Sequence, residues 1–264
     1  MARIDGKTVW ITGASSGIGE ELAYQLASKN CRLILSARRK EALEEVRNSC
    51  INKSNVFVLP LDVTEFSIME KKVKEAIELV GKIDILINNA GISQRSLIAE
   101  TDFSVYQKMI DVDYLGTVAL TKAILPYFVA QKSGHFITVS SLMGKFSSPY
   151  RSGYCGAKHA LHGFFDALRM EHEKDNIDVT MICPGFVNTN IAKSALTGNG
   201  SAQGKNDKAT ANGISTTKLS RKMIRAIEKK SYEAYIGGKE TKGVYVKRFF
   251  PKLLHKLVLK SEVK

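Results

Sequence analysis

The chain has 264 residues, of which 44% are hydrophobic and 25% are charged, and this composition excludes a disordered, collagen-like or disulfide-stapled protein. The formal net charge is +13, and the last 47 residues, with 14 Lys/Arg and four Glu, carry most of it. No apolar run reaches the roughly 18 residues of a transmembrane helix, and the chain enters its first apolar strand without a signal-peptide pattern. We therefore expect a cytoplasmic protein with a single domain over residues 1–264.

Short apolar strands alternate with amphipathic helices along most of the chain. The predicted strands cover residues 8–11, 32–36, 56–59, 83–87, 135–139, 178–182 and 232–236. The predicted helices run from the turn after the first strand to about residue 29, and then over 40–49, 64–80, 104–131, 154–174 and 223–227. This alternation predicts an α/β fold, doubly wound, with a seven-stranded parallel sheet and helices on both faces.

Residues 194–217 depart from this alternation. They are rich in Gly, Ser, Asn, Thr and Ala and contain almost no large apolar side chains. Such a segment is expected to bury little surface and to form a mobile loop. Its place after the sixth strand favours a substrate lid, with a disordered insertion as the alternative.

The C-terminal extension, residues 244–264, is predicted to form a basic amphipathic helix. Its apolar residues recur at intervals of three and four: Val246, Phe249, Phe250, Leu253, Leu254, Leu257 and Val258. Pro251 either kinks this helix or marks its first turn. The pattern fits peripheral contact with an anionic membrane, or packing on the domain or on a second subunit. We expect no nucleic-acid binding, because no recognised motif accompanies the charge.

The cysteines and histidines indicate no metal site. The four cysteines are scattered, with no C-x-x-C pair: Cys31, Cys50, Cys155 and Cys183. Free thiols in a reducing compartment are therefore expected. Cys155, His159 and His162 share helical spacing, but no carboxylate joins them at the spacing of a ligand, so no metal is predicted.

A glycine-rich turn, residues 12–19, follows the first strand and opens the first helix. Gly13 allows a tight exit from the strand, Gly17 lets the backbone approach a pyrophosphate, and Gly19 permits close packing of the helix on the sheet. The helix N-terminus offers N–H groups and a positive dipole end to phosphates. This arrangement predicts a dinucleotide-binding Rossmann fold. The predicted contact residues of the turn are Gly13, Ser15, Ser16, Gly17, Ile18 and Gly19.

Basic residues follow the second strand, where the adenosine ribose of a dinucleotide is recognised. An Asp or Glu there would accept hydrogen bonds from the ribose 2′-hydroxyl and repel a 2′-phosphate. This chain has Arg38, Arg39 and Lys40 instead, and guanidinium groups bind phosphate through paired hydrogen bonds. The alternative, a solvated helix start, is disfavoured because cations oppose the dipole at a helix N-terminus. The sequence therefore predicts NADP(H) rather than NAD(H).

Ser141, Tyr154 and Lys158 form a candidate acid–base group. Tyr154 and Lys158 are four residues apart on one predicted helix, so their side chains share a face. A lysine ammonium near a phenol favours the phenolate, which suits Tyr154 to acid–base chemistry. Ser141 follows the fifth strand and can hydrogen-bond the same substrate oxygen. A Tyr–Lys pair at this spacing is by itself common on the surface of a helix. Its occurrence together with the glycine-rich turn favours a functional site.

With Asn88-Asn89-Ala90-Gly91 after the fourth strand and Pro184-Gly185 after the sixth, the chain resembles the classical short-chain dehydrogenase/reductase family over residues 7–238. Around these motifs, the sequence is similar to that of the branch of 11-beta-hydroxysteroid dehydrogenase and of member-7-like dehydrogenase/reductases. The stretches that carry this closer likeness are 36–38, 139–145 and 163–165. The resemblance implies hydride transfer between a nicotinamide and a carbonyl or alcohol carbon.

The resemblance also implies a role for each matching residue. Tyr154 would exchange the proton of the substrate oxygen, Lys158 would hold the nicotinamide ribose and tune Tyr154, and Ser141 would orient the substrate oxygen. Further implied cofactor-binding residues, beside Tyr154 and Lys158, are Asp62, Val63, Asn89, Ala90, Gly91, Pro184, Gly185, Val187 and Thr189. A homodimer or homotetramer is implied as well.

Asp113 departs from the family pattern. The family has an Asn at this place in the long helix, where it supports a water-mediated proton relay to the lysine. An Asn side chain can donate hydrogen bonds, whereas an ionised Asp only accepts them, and burying that carboxylate costs free energy unless it is paired or protonated. If the relay uses the backbone carbonyl of residue 113, the change is tolerated. We expect slowed but real catalysis.

These features together predict an NADP(H)-dependent oxidoreductase that interconverts a carbonyl and an alcohol. The branch resemblance implies a moderately apolar substrate, such as a steroid-like, lipid-derived or other bulky ketone or aldehyde, with reduction as the working direction. One alternative is a 3-oxoacyl-thioester reductase, whose acidic carrier protein a basic surface would attract. Another is a non-catalytic NADP(H)-binding protein, suggested by Asp113 and by the C-terminal extension.

Overall fold

Seven parallel strands form one sheet in the computed structural model, which describes residues 3–261. The strands are β1 (Thr8–Thr12), β2 (Arg32–Ser36), β3 (Val56–Val58), β4 (Ile85–Asn88), β5 (Gly134–Val139), β6 (Ile177–Pro184) and β7 (Glu233–Ile236). Their order is β3-β2-β1-β4-β5-β6-β7, and every neighbouring pair is parallel. The predicted seven-stranded parallel sheet is confirmed.

Helices connect the strands and cover both faces of the sheet. They are α1 (Gly17–Ala27), α2 (Lys40–Ser49), α3 (Met69–Val80), α4 (Phe103–Ile110), α5 (Gly116–Gln131), α6 (Ser152–Glu171), α7 (Lys208–Ala211), α8 (Thr216–Glu228), α9 (Gly243–Phe249) and α10 (Pro251–Lys260). The predicted helix 104–131 is α4 and α5 joined by a π-helical turn, Asp111–Leu115. Thr64 does not begin the third helix, because it forms a turn with Asp62, and α3 starts at Met69.

The core consists of two apolar layers, one on each face of the sheet. Side chains alternate along a strand, so Val9 and Ile11 of β1 face one layer and Trp10 faces the other. Buried residues of α1, α2 and α8 complete the first layer. Those of α3, α5 and α6 complete the second layer, in which Phe128 and Phe136 pack with ring centroids 4.9 Å apart. Because all seven strands are parallel, their carboxyl ends lie along one edge of the sheet.

The strand order reverses between β1 and β4, and this switch point creates the main cleft. In an open parallel sheet, the connections from the two neighbouring strands leave toward opposite faces there and leave a crevice beyond the strand ends. The turns that follow β1, β2, β4, β5 and β6 all line this cleft. Many of the predicted site residues come from the segments that follow the strands, whereas Tyr154 and Lys158 lie on α6 and Asp113 lies in the π-helical turn.

Residues 194–217 are tied to the rest of the domain at several points. Leu196 is buried and pairs with Gln94 through the backbone, and Asp207 and Thr210 are buried as well. The segment includes α7 and the first residues of α8. It buries more than its composition indicates, because its contacts are made by small and polar groups. Its mobility and its action as a lid stay predictions.

The described cysteines are all free and buried. Over residues 3–261, no three His, Cys, Asp or Glu side chains lie close enough together to hold a metal ion. Nor does any helix in that range combine the length and apolarity needed to cross a membrane.

Candidate active site

The glycine-rich turn after β1 requires glycine for steric reasons. Gly13 and Gly17 have φ values of +64° and +62°, a region that side-chain-bearing residues avoid. A Cβ on Gly13 would lie 2.8 Å from the Ala90 Cα, and a Cβ on Gly19 would lie 2.3 Å from the Gly13 carbonyl oxygen. The turn therefore packs directly against the segment after β4 and against its own helix.

Asn89 and Thr12 hold this turn in place. The Asn89 side-chain amide donates to the carbonyl oxygens of Thr12 and Gly13, at 3.0 and 3.2 Å. In return, the Thr12 hydroxyl accepts from the backbone N–H groups of Asn89 and Ala90, at 3.0 and 3.1 Å. Asn89 thus shapes the cleft from behind the turn, while Asn89, Ala90 and Gly91 also line it.

The turn and the start of α1 fit a dinucleotide. Ser15, Ser16, Gly17 and Ile18 line the cleft, and the N-cap residue Ser16 makes no side-chain capping bond. An anionic group at a helix N-terminus is stabilised by free N–H groups and by the dipole. The Gly17 N–H is bonded to Glu20 at 3.2 Å, and a phosphate bound there would compete for it. Residues 12–19 would therefore hold the pyrophosphate.

The predicted adenosine end lies along the same cleft. Arg38 and Arg39 are exposed, line the cleft after β2, and form no ion pair within residues 3–261. Asp62 and Val63 line it after β3, and Asp62 Oδ1 accepts from the N–H and hydroxyl of Thr64 at 2.9 and 2.8 Å. Two unpaired guanidinium groups thus stand where the ribose is expected.

Tyr154, Lys158 and Ser141 all line this cleft. Tyr154 and Lys158 lie one turn apart on α6, with Lys158 Nζ 5.6 Å from the centre of the Tyr154 ring. Lys158 is buried and donates a hydrogen bond to the carbonyl of Val139, at the end of β5 (3.2 Å). Ser141 follows β5, and its Oγ accepts from the Met143 N–H at 3.1 Å. The three residues thus line one cleft, and their catalytic roles stay predictions.

Asp113 is fully buried in the π-helical turn beside Lys158. Its Oδ1 accepts from the Ile92 N–H at 2.7 Å, whereas Oδ2 has no hydrogen-bond partner among the described residues. A Cβ on Gly91 would lie 2.9 Å from Asp113 Oδ1 and 3.3 Å from Lys158 Nζ, so glycine leaves room for the two charges to converge. Burial raises the pKa of Asp113 to about 6, although Lys158 and the Ile92 N–H oppose it.

The segment after β6 closes the far end of the cleft. Pro184, Gly185, Val187 and Thr189 all line it, and a Cβ on Gly17 would lie 3.4 Å from Thr189 Cγ2. The predicted nicotinamide end of the site therefore lies across from the glycine-rich turn. The two segments approach each other at this point of the cleft wall.

Comparisons with known proteins agree with this geometry. A family model described as short chain dehydrogenase matches residues 7–200. The chain is 44% identical over 230 residues to "Dehydrogenase/reductase SDR family protein 7-like" of Anopheles gambiae, which covers 85% of this chain and 73% of that protein. It is 44% identical over 234 residues to "Dehydrogenase/reductase SDR family member 7" of Homo sapiens, which covers 86% and 69%. The chain belongs to the short-chain dehydrogenase/reductase family.

Within the short-chain dehydrogenase/reductase family, the chain lies in the branch of member 7. A short-chain dehydrogenase from Streptomyces avermitilis superposes with a TM-score of 0.81, at 24% identity, over 97% of this chain and 96% of that one. A second, from Burkholderia phymatum in complex with NAD, gives 0.84 at 22% identity over 96% of both chains. These structures support the Rossmann fold. Members of the family bind a nicotinamide dinucleotide.

A buried ionic cluster beside Tyr154 in this short-chain dehydrogenase was not indicated by any sequence pattern. Arg95 donates two hydrogen bonds to Asp207 Oδ2, at 2.9 and 2.8 Å, and Arg151 donates one at 3.3 Å. Asp207 Oδ1 accepts from the Thr210 N–H at 2.9 Å and caps α7. Burial raises the pKa of Asp207, but hydrogen bonds from Thr210 and Arg95 outweigh this effect and hold that pKa below its usual range. We call Arg95, Arg151 and Asp207 the arginine cluster.

A second unpredicted network lies behind Ser141. The Ser140 hydroxyl and His162 Nε2 are 3.0 Å apart, and His162 Nδ1 lies 3.3 Å from Glu233 Oε1. Lys145 and Tyr235 also bond to the Glu233 carboxylate. Burial raises the pKa of Glu233, but contacts with His162, Lys145 and Tyr235 outweigh it and lower that pKa to about 2. This Glu233 network joins α6, β7 and the turn that carries Ser141.

Proposed function

We propose that this protein is an NADP(H)-dependent oxidoreductase that interconverts a carbonyl group and an alcohol on a moderately apolar substrate. The observation that carries the proposal is that Ser141 and the adjacent pair Tyr154 and Lys158 line the cleft that the glycine-rich turn also lines. A protein that only bound the dinucleotide would need the turn but not these three side chains. Bound there, the nicotinamide supplies the hydride or accepts it.

Each of the three residues has a role that its position supports. Tyr154 gives its hydroxyl proton to the carbonyl oxygen during reduction and takes it back during oxidation. The buried Lys158 ammonium stabilises the phenolate that results, because an adjacent positive charge favours the ionised phenol. Ser141 donates a hydrogen bond to the substrate oxygen and fixes its orientation toward Tyr154. Asp113, near Lys158, can take up or release a proton near neutral pH.

The preference for NADP(H) rests on the exposed guanidinium groups of Arg38 and Arg39. They meet no carboxylate partner within residues 3–261, so both are available to a 2′-phosphate. The NAD in the Burkholderia phymatum structure belongs to that protein, which is only 22% identical to this one. A double variant Arg38→Ala/Arg39→Ala should weaken NADPH binding far more than NADH binding, as measured by quenching of protein fluorescence.

An apolar substrate is supported by the lining of the cleft near Ser141. Leu142, Phe146, Val246 and Leu254 line that region, and Leu142, Phe146 and Leu254 are buried. Such a lining binds a bulky ketone or aldehyde by burial of apolar area.

A 3-oxoacyl-thioester reductase is the second candidate, favoured by the excess of Lys and Arg. A homodimer or homotetramer and a cytoplasmic location remain part of the proposal.

NADPH oxidation, followed by absorbance, tests the proposal against a panel of bulky ketones, aldehydes and acetoacetyl thioesters. Turnover that Tyr154→Phe abolishes, while NADPH binding is kept, is the expected result. The ranking of the panel separates the apolar carbonyl substrate from the thioester. Tight NADPH binding without turnover on any member, in the wild-type protein and in Asp113→Asn, would favour a non-catalytic binding protein.

A further inference from the structure

The C-terminal helices α9 and α10 have one face packed on the domain. Val246, Leu254 and Val258 pack against the apolar cluster that contains Leu142 and Phe146. Pro251 occupies the first turn of α10. It does not kink a single helix, because Phe250 has a non-helical backbone conformation and separates α9 from α10. The predicted apolar stripe is therefore divided, and only part of it is used by the domain. Residues 262–264 of the extension lie outside the described residues.

The same helices also carry large apolar side chains that are exposed. Six large side chains there are between 49% and 70% exposed: Tyr245, Phe249, Phe250, Leu253, Leu257 and Leu259. Single exposed apolar residues are common on soluble proteins, whereas a contiguous group of this size marks a contact surface. Here the six fall within 15 consecutive residues. Burying them requires an apolar partner.

Cations surround these apolar side chains. Between 241 and 261 there are six Lys/Arg and no Asp or Glu. The exposed cations Lys247, Arg248, Lys252, Lys256 and Lys260 form no ion pair within the described part of the chain. The surface thus combines an apolar group with uncompensated positive charge, on helices that also form a wall of the cleft.

We propose that the exposed face of α9 and α10 docks in the plane of an anionic lipid surface. Acyl chains accept the Phe and Leu side chains, and anionic headgroups accept the Lys and Arg side chains. One surface of a bilayer supplies both chemistries at once, which is why we favour it over an acidic protein partner. Because Val246 and Leu254 line the cleft, docking places the cleft beside the lipid from which an apolar compound would enter.

Co-sedimentation of the full chain with vesicles tests the apolar part of this surface. The vesicles contain three parts phosphatidylcholine and one part phosphatidylserine. Phe249→Ser/Phe250→Ser should lower the partition coefficient by at least about tenfold, because two aromatic anchors are lost. The matched control is Ile51→Ser/Met170→Ser, which removes two other exposed apolar side chains, and it should stay within about twofold. Circular dichroism checks that all variants fold.

A second pair of variants tests the charged part. Lys252→Gln/Lys256→Gln should weaken binding to the phosphatidylserine vesicles by several-fold and reduce its salt dependence, whereas Lys71→Gln/Lys74→Gln on α3 should not. Equal pelleting of the Phe variant and its control would overturn the proposal, as would no pelleting of the unaltered chain. Binding to soluble polyglutamate without binding to vesicles would instead assign the surface to an acidic protein. None of these readouts depends on turnover, so they stand apart from the proposed reaction.

Discussion

On one side of the cleft, the glycine-rich turn is held by hydrogen bonds between neutral groups, chiefly from Asn89 to the carbonyls of Thr12 and Gly13. On the other side, around Tyr154, the chain is held by the buried charges of the arginine cluster and the partly buried charges of the Glu233 network. The neutral side depends on the shape of the backbone. The charged side depends on ionisation, so it responds to pH and to the loss of a single carboxylate.

The difference follows from what each side does in the proposed function. A turn that approaches a pyrophosphate needs backbone N–H groups and little side-chain volume. Around a tyrosine that exchanges protons, fixed charges set the local potential and hold the helix that carries it. Arg151 immediately precedes α6, so the arginine cluster joins the segment 194–217 to the base of the helix that bears Tyr154 and Lys158.

The largest effect is expected from Asp207→Asn, which removes the negative charge between two buried guanidinium groups. The amide keeps an oxygen that can cap α7, so the change isolates the charge. Breaking a buried ion pair in this way costs about 3–5 kcal/mol, and we expect that loss in the free energy of unfolding measured with urea. Hydrogen exchange should rise first over residues 190–213, because Asp207 ties that segment to Arg95 and Arg151.

The matched control is Asp166→Asn, which breaks a half-exposed ion pair with Arg169 on the surface of α6. Surface pairs contribute between about 0 and 1 kcal/mol, so this variant should unfold almost like the original protein. If the two variants lose equal stability, the arginine cluster does not stabilise the charged side of the cleft, and the two sides do not differ in the way proposed.

The glycine-rich turn and the Tyr154–Lys158 pair could be predicted from the sequence, whereas the charges that hold the chain around Tyr154 could not. Strand periodicity and the spacing of Gly13, Gly17 and Gly19 are local patterns, so the turn, the sheet and the positions of Tyr154 and Lys158 are readable directly. Arg95 and Asp207 are 112 residues apart, and their pairing depends on how two loops meet in space. The π-helical turn at Asp113 could not be predicted either, because the helical spacing of apolar residues continues through it from α4 to α5.

A smaller effect, with the opposite sign, is expected from Asp113→Asn. Burial raises the pKa of Asp113 to about 6, so the folded chain holds this proton more tightly than the unfolded chain. Ionisation therefore destabilises the fold: the penalty is absent below the unfolded pKa, near 4, and is complete above 6. The variant should gain on the order of 2–3 kcal/mol in unfolding free energy at pH 8 and almost nothing at pH 4.

Thermal unfolding followed across this pH range measures the effect of Asp113→Asn. Glu78→Gln, at an exposed position on α3, is the control and should show no such pH dependence. Turnover is a second readout, because an Asn amide can donate a hydrogen bond where the carboxylate cannot. Identical turnover and pH profiles in the variant and the original protein would show that residue 113 takes no part in the proton relay through its side chain.

The smallest effect is expected on the neutral side, from Gly19→Ala. The added Cβ would lie 2.3 Å from the Gly13 carbonyl oxygen and 2.7 Å from Asn89 Nδ2, so the turn must shift. Overpacking of this kind costs about 1–3 kcal/mol, with no dependence on pH or salt, and it should also weaken dinucleotide binding. Gly163→Ala is the control: it lies in the interior of α6 with open space around it, and should gain about 0.5–1 kcal/mol from helix propensity alone. A pH-dependent loss in Gly19→Ala would mean that buried charge supports the turn as well, and the two sides of the cleft would not be separate.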